Sequence, residues 1–206
     1  MSTAPNLTPG APASDDWTTV VEEIIPRQGE WTEEQYLALT DHTSRLVEFT
    51  DGCLEVLPMP TDYHQAILEF LFLAFREFIN PRGGKARFAA LRLRIGHGKF
   101  REPDLLLLRS AADERRQNRF WTGADLALEV VSPEKPQRDL VQKRAEYADA
   151  GVEEYWIVNP QSETITVLRL DAGAYAEVGC FRRGEQAASA MLVGFAVDVS
   201  AVFDAD

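Results

Sequence analysis

Apolar residues recur along this chain with two different periods. Between Thr61 and Ile79 they fall at Ile67, Leu68, Leu71, Phe72, Phe75, Phe78 and Ile79, the spacing of one helix face, with Thr61 placed to cap the start and Pro81 and Gly83-Gly84 to stop the run. Thr32 followed by Gln35 has the form of a capping box and predicts a shorter helix through about Leu39. A third helix is predicted from about Gln137 to Ala150, closed by Gly151. The segments from Arg45 to Thr50 and from Cys53 to Leu57 flank Asp51-Gly52, a pair whose tolerance of positive φ suits a hairpin. Ala86 to Ile95 reads as one long strand and Gly96-His97-Gly98 as a turn, which leaves His97 exposed. Asp104 to Leu108 and Leu126 to Val131 read as buried strands because their apolar runs are almost unbroken; Ser132-Pro133 ends the second. Glu154 to Val158, Thr164 to Leu170, Tyr175 to Val178 and Met191 to Val193 complete the expected strands. The helix between the Leu126 and Glu154 strands is a crossover, so the expected class is α/β (α+β), a mixed sheet flanked by helices.

Composition sets the scale. A chain of 206 residues that is 45% hydrophobic can bury one substantial core, so residues 17–206 are expected to form a single domain. Residues 1–16, rich in Pro, Ala, Ser and Thr and without the charged and apolar regions of a signal peptide, are expected to be a disordered tail. The most apolar stretch, Ile67 to Phe75, contains Glu69 and falls well short of the ~20 residues that span a bilayer. Cys53 and Cys180 stand far apart without metal-ligand spacing, which points to a reducing, cytoplasmic compartment. The net charge of -12 is awkward for a protein that binds phosphates. Yet Arg82, Lys85, Arg87, Arg92, Arg94, Lys99 and Arg101 follow one another with no acidic residue among them, as a solvated strand face or as a local basic surface.

Two carboxylates then change the picture. Asp104 opens an apolar strand and Glu129 interrupts another, and buried acids are costly unless paired or bound to a cation. Each alone is ordinarily a strand-end carboxylate reaching water or an Arg. Together they offer the oxygen pair that magnesium takes alongside waters and a substrate phosphate. Asp139, Lys143 and Tyr147 follow at i, i+4 and i+8, on one helix face, where Lys143 could address a water or phosphate; the alternative is an ordinary Asp139–Lys143 surface pair.

These residues resemble a family. Arg101-Glu102-Pro103-Asp104-Leu105, Leu128-Glu129-Val130-Val131-Ser132-Pro133, Asp139, Lys143, Tyr147, Gly151-Val152 and Glu154-Tyr155-Trp156-Ile157-Val158 are similar, in order and spacing, to the Uma2 restriction endonuclease family of the PD-(D/E)XK nuclease superfamily. The similarity extends to Glu48-Phe49-Thr50-Asp51-Gly52, His64 and the Gly194-Phe195 region, covering about Glu30 to Phe203. It implies a restriction-endonuclease-like fold and a divalent-metal-dependent endonuclease acting on DNA. Asp104, Glu129 and Lys143 would be catalytic, with magnesium (or manganese) held by Asp104, Glu129 and the Val130 carbonyl, and Glu48 is a candidate further metal or water ligand. His64 and Asp139 would be secondary. Val131 stands where the superfamily pattern has Lys, and the resemblance implies that Lys143 supplies that amine from the following helix. Tyr147 and Trp156 are read as packing residues. Arg92, Arg94, Lys99 and Arg101 would contact the nucleic-acid backbone, and cutting both strands would call for a homodimer. The competing readings are a nuclease-fold module that binds nucleic acid or protein without cutting, and a hydrolase of small phosphoesters.

Overall fold

The computed structural model describes residues 25–133 and 137–206, the side chain of Asp139 excepted; the expected N-terminal tail lies outside the described residues. Helix α1, Glu33–Thr40, begins at Thr32, whose hydroxyl accepts from the Gln35 N–H while the Gln35 side chain accepts from the Thr32 N–H. Strands β1 (Val47–Thr50) and β2 (Cys53–Val56) form the expected hairpin, with Asp51 at φ 47° and Gly52 at φ 84° in the turn. Helix α2, Asp62–Ile79, is capped by Thr61 and presents Ile67, Leu68, Leu71, Phe75 and Ile79 to the core. A short 3-10 turn at Asn80–Arg82 and a left-handed Gly83 end it.

Ala86 to Ile95 is not one strand. It divides into β3 (Lys85–Phe88) and β4 (Leu93–Gly96), which belong to different sheets: β3 pairs with β6 (Leu105–Leu108), β4 with β5 (Lys99–Arg101). The larger sheet runs β10-β9-β8-β7-β6-β3, with β7 at Leu126–Val130, β8 at Glu154–Asn159, β9 at Thr164–Asp171 and β10 at Ala174–Arg182. Its β7–β8 pair is parallel, as the crossover required. The smaller sheet runs β2-β1-β5-β4. The crossover itself opens with a wide π-type turn at Arg138–Gln142 before α3 (Lys143–Asp149), which Gly151 closes at φ 74°. Met191 to Val193 forms no strand. Leu192 inserts into the core from a loop between β11 (Gln186–Ala188) and β12 (Ala196–Asp198), ahead of α4 (Val199–Phe203).

The alternation of side chains along the central strands splits the core in two. Leu105, Leu107, Leu126, Leu128 and Val130 pack with α2, α4 and Trp156 on one face. Leu106, Leu108, Ala127, Val131 and Ile157 pack with Tyr147, Tyr155 and Trp121 on the other. A third cluster of Tyr36, Leu37, Val47, Phe49 and Phe100 joins α1 to the smaller sheet. Glu154, fully buried, fastens the C-terminal loop: its carboxylate accepts from Trp156 Nε1 and Ser189 Oγ, both at 2.7 Å, and from the N–H groups of Ala190 (2.8 Å) and Met191 (2.7 Å). No helix among the described residues is long and apolar enough to cross a membrane.

Candidate active site

The antiparallel register of β6 and β7 pairs Leu105 with Leu128, so the next position out sets Asp104 across from Glu129. The two acids, separated by 25 residues in the chain, thereby share one end of the sheet. Both line a cavity of about 530 Å³, together with His64, Glu102, Val130, Arg138 and Lys143. The bottom of this cavity is held by a dense set of polar contacts. Lys143 Nζ lies 2.8 Å from Glu129 Oε2, and the Tyr147 hydroxyl donates to Glu129 Oε1 at 2.6 Å. Asp104 Oδ2 accepts from the Val130 N–H at 2.7 Å, while Oδ1 faces His64 Nε2 at 3.1 Å. Thr61, by accepting from the His64 N–H, fixes the first turn of α2 from which that imidazole projects.

Glu129 is 3% exposed and Lys143 4%, so their pairing takes place in a low-dielectric setting where an unpaired charge would be costly. Tyr147 is fully buried, and burial together with the neighbouring Glu129 charge holds its phenol well above the usual range, so it acts as a donor. It is therefore more than the packing residue the sequence suggested. Lys143 and Tyr147, four residues apart, reach the same carboxylate because the α3 helix presents both on one row. Asp139 falls in the wide turn before that helix, and its side chain lies outside the described residues.

Glu48 sits behind this floor rather than in the cavity wall. It is buried on β1, accepts from Arg138, has Lys143 Nζ at 3.8 Å and Arg101 Nε at 3.5 Å, and accepts from the Glu102 N–H at 3.3 Å. Arg138 spans from Glu48 to Glu55, 2.8 Å from the latter, and its Nε has no partner among the described residues. Glu102 contributes a second orphan: its Oε2 is buried without a hydrogen bond, and burial, reinforced by Glu48, pushes its carboxyl up to about 7. Sequence reasoning singled out neither Arg138 nor Glu102. The only hint for Glu102 was its place two residues before Asp104.

The expected backbone-binding cations are mostly committed elsewhere. Arg101 is 1% exposed; its Nε and NH2 donate to Glu146 at 2.8 and 2.6 Å, and its NH1 donates to the Phe49 and Phe100 carbonyls and to Thr50 Oγ1. It cannot reach a phosphate from there, so its place is in the scaffold. Arg92 is bonded to Asp41 and Thr40, and Arg94 lies 3.0 Å from Glu33. Lys99 is partly buried on β5, and His97 is exposed as expected.

Among the described residues no group of three or more His, Cys, Asp or Glu could hold a metal ion. The donors present are nevertheless of the right kind for a hard cation: two carboxylates lining one cavity. Magnesium commonly binds through one or two carboxylates and keeps several waters, so a two-acid site fits it without a cage. The Val130 N–H is committed to Asp104.

Comparison with known proteins bears on fold and family. No curated protein matches the chain. Its fold is similar to that of a solved structure described as "a putative nuclease belonging to DUF820 from Anabaena variabilis ATCC 29413", with a TM-score of 0.71 and 19% identity over 84% of this chain and 97% of that one. The profile of the Uma2 family, described as "Putative restriction endonuclease", matches residues 33–200. With the family profile matching most of its length, this chain belongs to the Uma2 family.

Proposed function

We propose that this protein is a divalent-metal-dependent endonuclease that hydrolyses DNA phosphodiester bonds in the cavity between α2 and α3. The observation that carries this reading is the meeting of Asp104, Glu129 and Lys143, from two strands and the crossover helix, on one cavity wall. Asp104 and Glu129 would hold Mg²⁺, with Mn²⁺ as a substitute and the Val130 carbonyl as a further donor. When bound, the cation would supply positive charge to the phosphate and lower the pKa of a nearby water. The chain's own groups do the positioning. Val130 N–H and His64 fix the two oxygens of Asp104, and Tyr147 fixes one oxygen of Glu129. Lys143, the cation nearest the acids, orients the attacking water or steadies the scissile phosphate. Glu48 serves as the counter-charge that keeps Lys143 and Arg138 aimed, rather than as a direct ligand.

One observation favours a non-hydrolytic binding module instead: the charges are already compensated internally, Glu129 in the cavity by Lys143 and Arg138 by Glu48 behind it. Cleavage assays separate the two. Plasmid and single-stranded DNA would be incubated with Mg²⁺ or Mn²⁺ and wild-type protein, Asp104→Ala or Lys143→Ala, each first shown to be folded. The nuclease reading expects cleavage by wild type and a loss of at least ~100-fold in both variants. Absence of cleavage by wild type, with no metal uptake in calorimetry, would leave a binding module. A homodimer, which would bring two sites to the two strands of a duplex, is tested in the same preparation by sedimentation.

A further inference from the structure

The cavity has a second wall that the hydrolytic reading does not use. Leu57, Pro58, Met59, Pro60, Tyr63 and Phe88 line the same cavity as the acids. Met59 is 75% exposed and Phe88 51%, although the chain buries most of its other large apolar side chains. Two of these groups are held in place. The Tyr63 hydroxyl donates to the Phe203 carbonyl at 3.0 Å, and the Phe88 ring meets Phe72 edge-on at 4.7 Å between centroids. Two anchored aromatic rings beside an exposed thioether, in one cavity with the two acids, have the properties of a platform for a nucleobase.

Size and charge narrow the occupant. A cavity of about 530 Å³ is in the range of ~300–1,000 Å³ that takes one small organic group, which suits a single nucleotide. Inside a duplex, base faces are covered by their neighbours, so only an unpaired or extruded nucleotide can present one. Holding a duplex by its backbone requires several free cations. Here Arg92, Arg94 and Arg101 are tied to Asp41, Glu33 and Glu146, and the chain carries a net charge of -12. Stacking does not depend on that charge.

We infer that the site takes single-stranded DNA, with one unpaired base against Met59, Tyr63 and Phe88 and its phosphate at Asp104, Glu129 and Lys143. This rests on the hydrolytic reading for the placement of the phosphate, and names the substrate class. The test is binding, read by anisotropy of an end-attached fluorescein with Ca²⁺ in place of Mg²⁺ to limit turnover, of a short single-stranded oligonucleotide carrying 2-aminopurine as a stacking probe. The same strand with an abasic site at that position, and its blunt duplex, are compared. Tight binding of the single strand is expected, weakened roughly 5- to 100-fold by Phe88→Ala combined with Met59→Ser and by the abasic site. The abasic arm leaves the protein untouched, so it does not depend on how the variant folds. Equal affinity for the intact and abasic strands, or a duplex bound as tightly as the single strand, would overturn the inference. A wild type that shows base-dependent binding but cleaves no DNA in Mg²⁺ would remove the hydrolytic reading and leave the base platform standing.

Discussion

Arg101 offers a sharp test of scaffold against substrate contact. Truncation to Ala removes both bonds to Glu146 and the bonds to Thr50 Oγ1 and two backbone carbonyls, and withdraws the cation 3.5 Å from Glu48. Glu48 is almost fully buried and Glu146 largely so, and the variant leaves both with less compensation, Glu48 retaining only Arg138 and Lys143 among the described cations. Breaking a buried pair in this way costs about 3–5 kcal/mol. For a domain of this size each kcal/mol moves the melting temperature by roughly 2–4 °C, so Arg101→Ala is expected to melt roughly 6–20 °C below wild type. Calorimetry or circular dichroism on the metal-free protein reads this directly. A phosphate-contacting Arg behaves in the opposite way: its removal leaves the melting temperature unchanged and lowers the slope of log affinity against log salt by about 1. An unchanged melting temperature with a shallower salt slope would refute the scaffold assignment.

Three further outcomes follow from the same geometry. Burial raises the Glu146 carboxyl, but the Arg101 guanidinium outweighs it and holds the group below its ordinary value of 4.5; a depressed folded pKa contributes stability that is full above the unfolded value and is lost as pH falls through the folded one. Glu146→Gln should therefore flatten the acid limb of a stability–pH curve below about pH 4.5, and an unaltered limb would count against the pair. Glu154→Ala strands the N–H groups of Ala190 and Met191 and should cost at least about 3 kcal/mol, read by denaturant unfolding, with faster hydrogen exchange confined first to that loop. Gly52→Ala places a Cβ 2.4 Å from the Gly29 oxygen at a φ of 84° and should cost about 1–3 kcal/mol; a melting curve matching wild type would show that the hairpin can relax.

The parts of this fold legible in the sequence are those decided locally. Thr32 with Gln35 and Thr61 announce the two helix starts because a cap needs only a side-chain oxygen and a backbone N–H a few residues on. Asp51-Gly52 announces the hairpin for the same reason. What the sequence misstates depends on distant partners. Ala86 to Ile95 suits one long strand by residue type, and only the competing claims of Leu105–Leu108 and Lys99–Arg101 divide it between two sheets. Met191 to Val193 looks like a strand because Leu192 is a core residue, yet the Met191 N–H goes to Glu154 and the Leu192 N–H to Ser189. At the candidate site, Asp104 and Glu129 were conspicuous as acids among apolar neighbours. Arg101 was misread since a charged residue in a basic run carries no mark of an internal partner 45 positions away. Arg138 gave no sign and Glu102 only its place two residues before Asp104, because their importance lies in the cavity they share with residues from other elements.

The parallel β7–β8 pair has a consequence for how such an enzyme comes into being. Parallel neighbours cannot be zipped by a hairpin; the whole crossover must be laid down and returned first, and that crossover carries Arg138, Lys143 and Tyr147. Arg138 meets Glu48 across 90 positions and His64 meets Asp104 across 40. During synthesis the chain exposes its early carboxylates while the groups that aim them are still unmade. Full assembly is thus the condition for the site: a nascent or partly unfolded chain lacks the arrangement proposed for cutting, which arrives only with the completed fold.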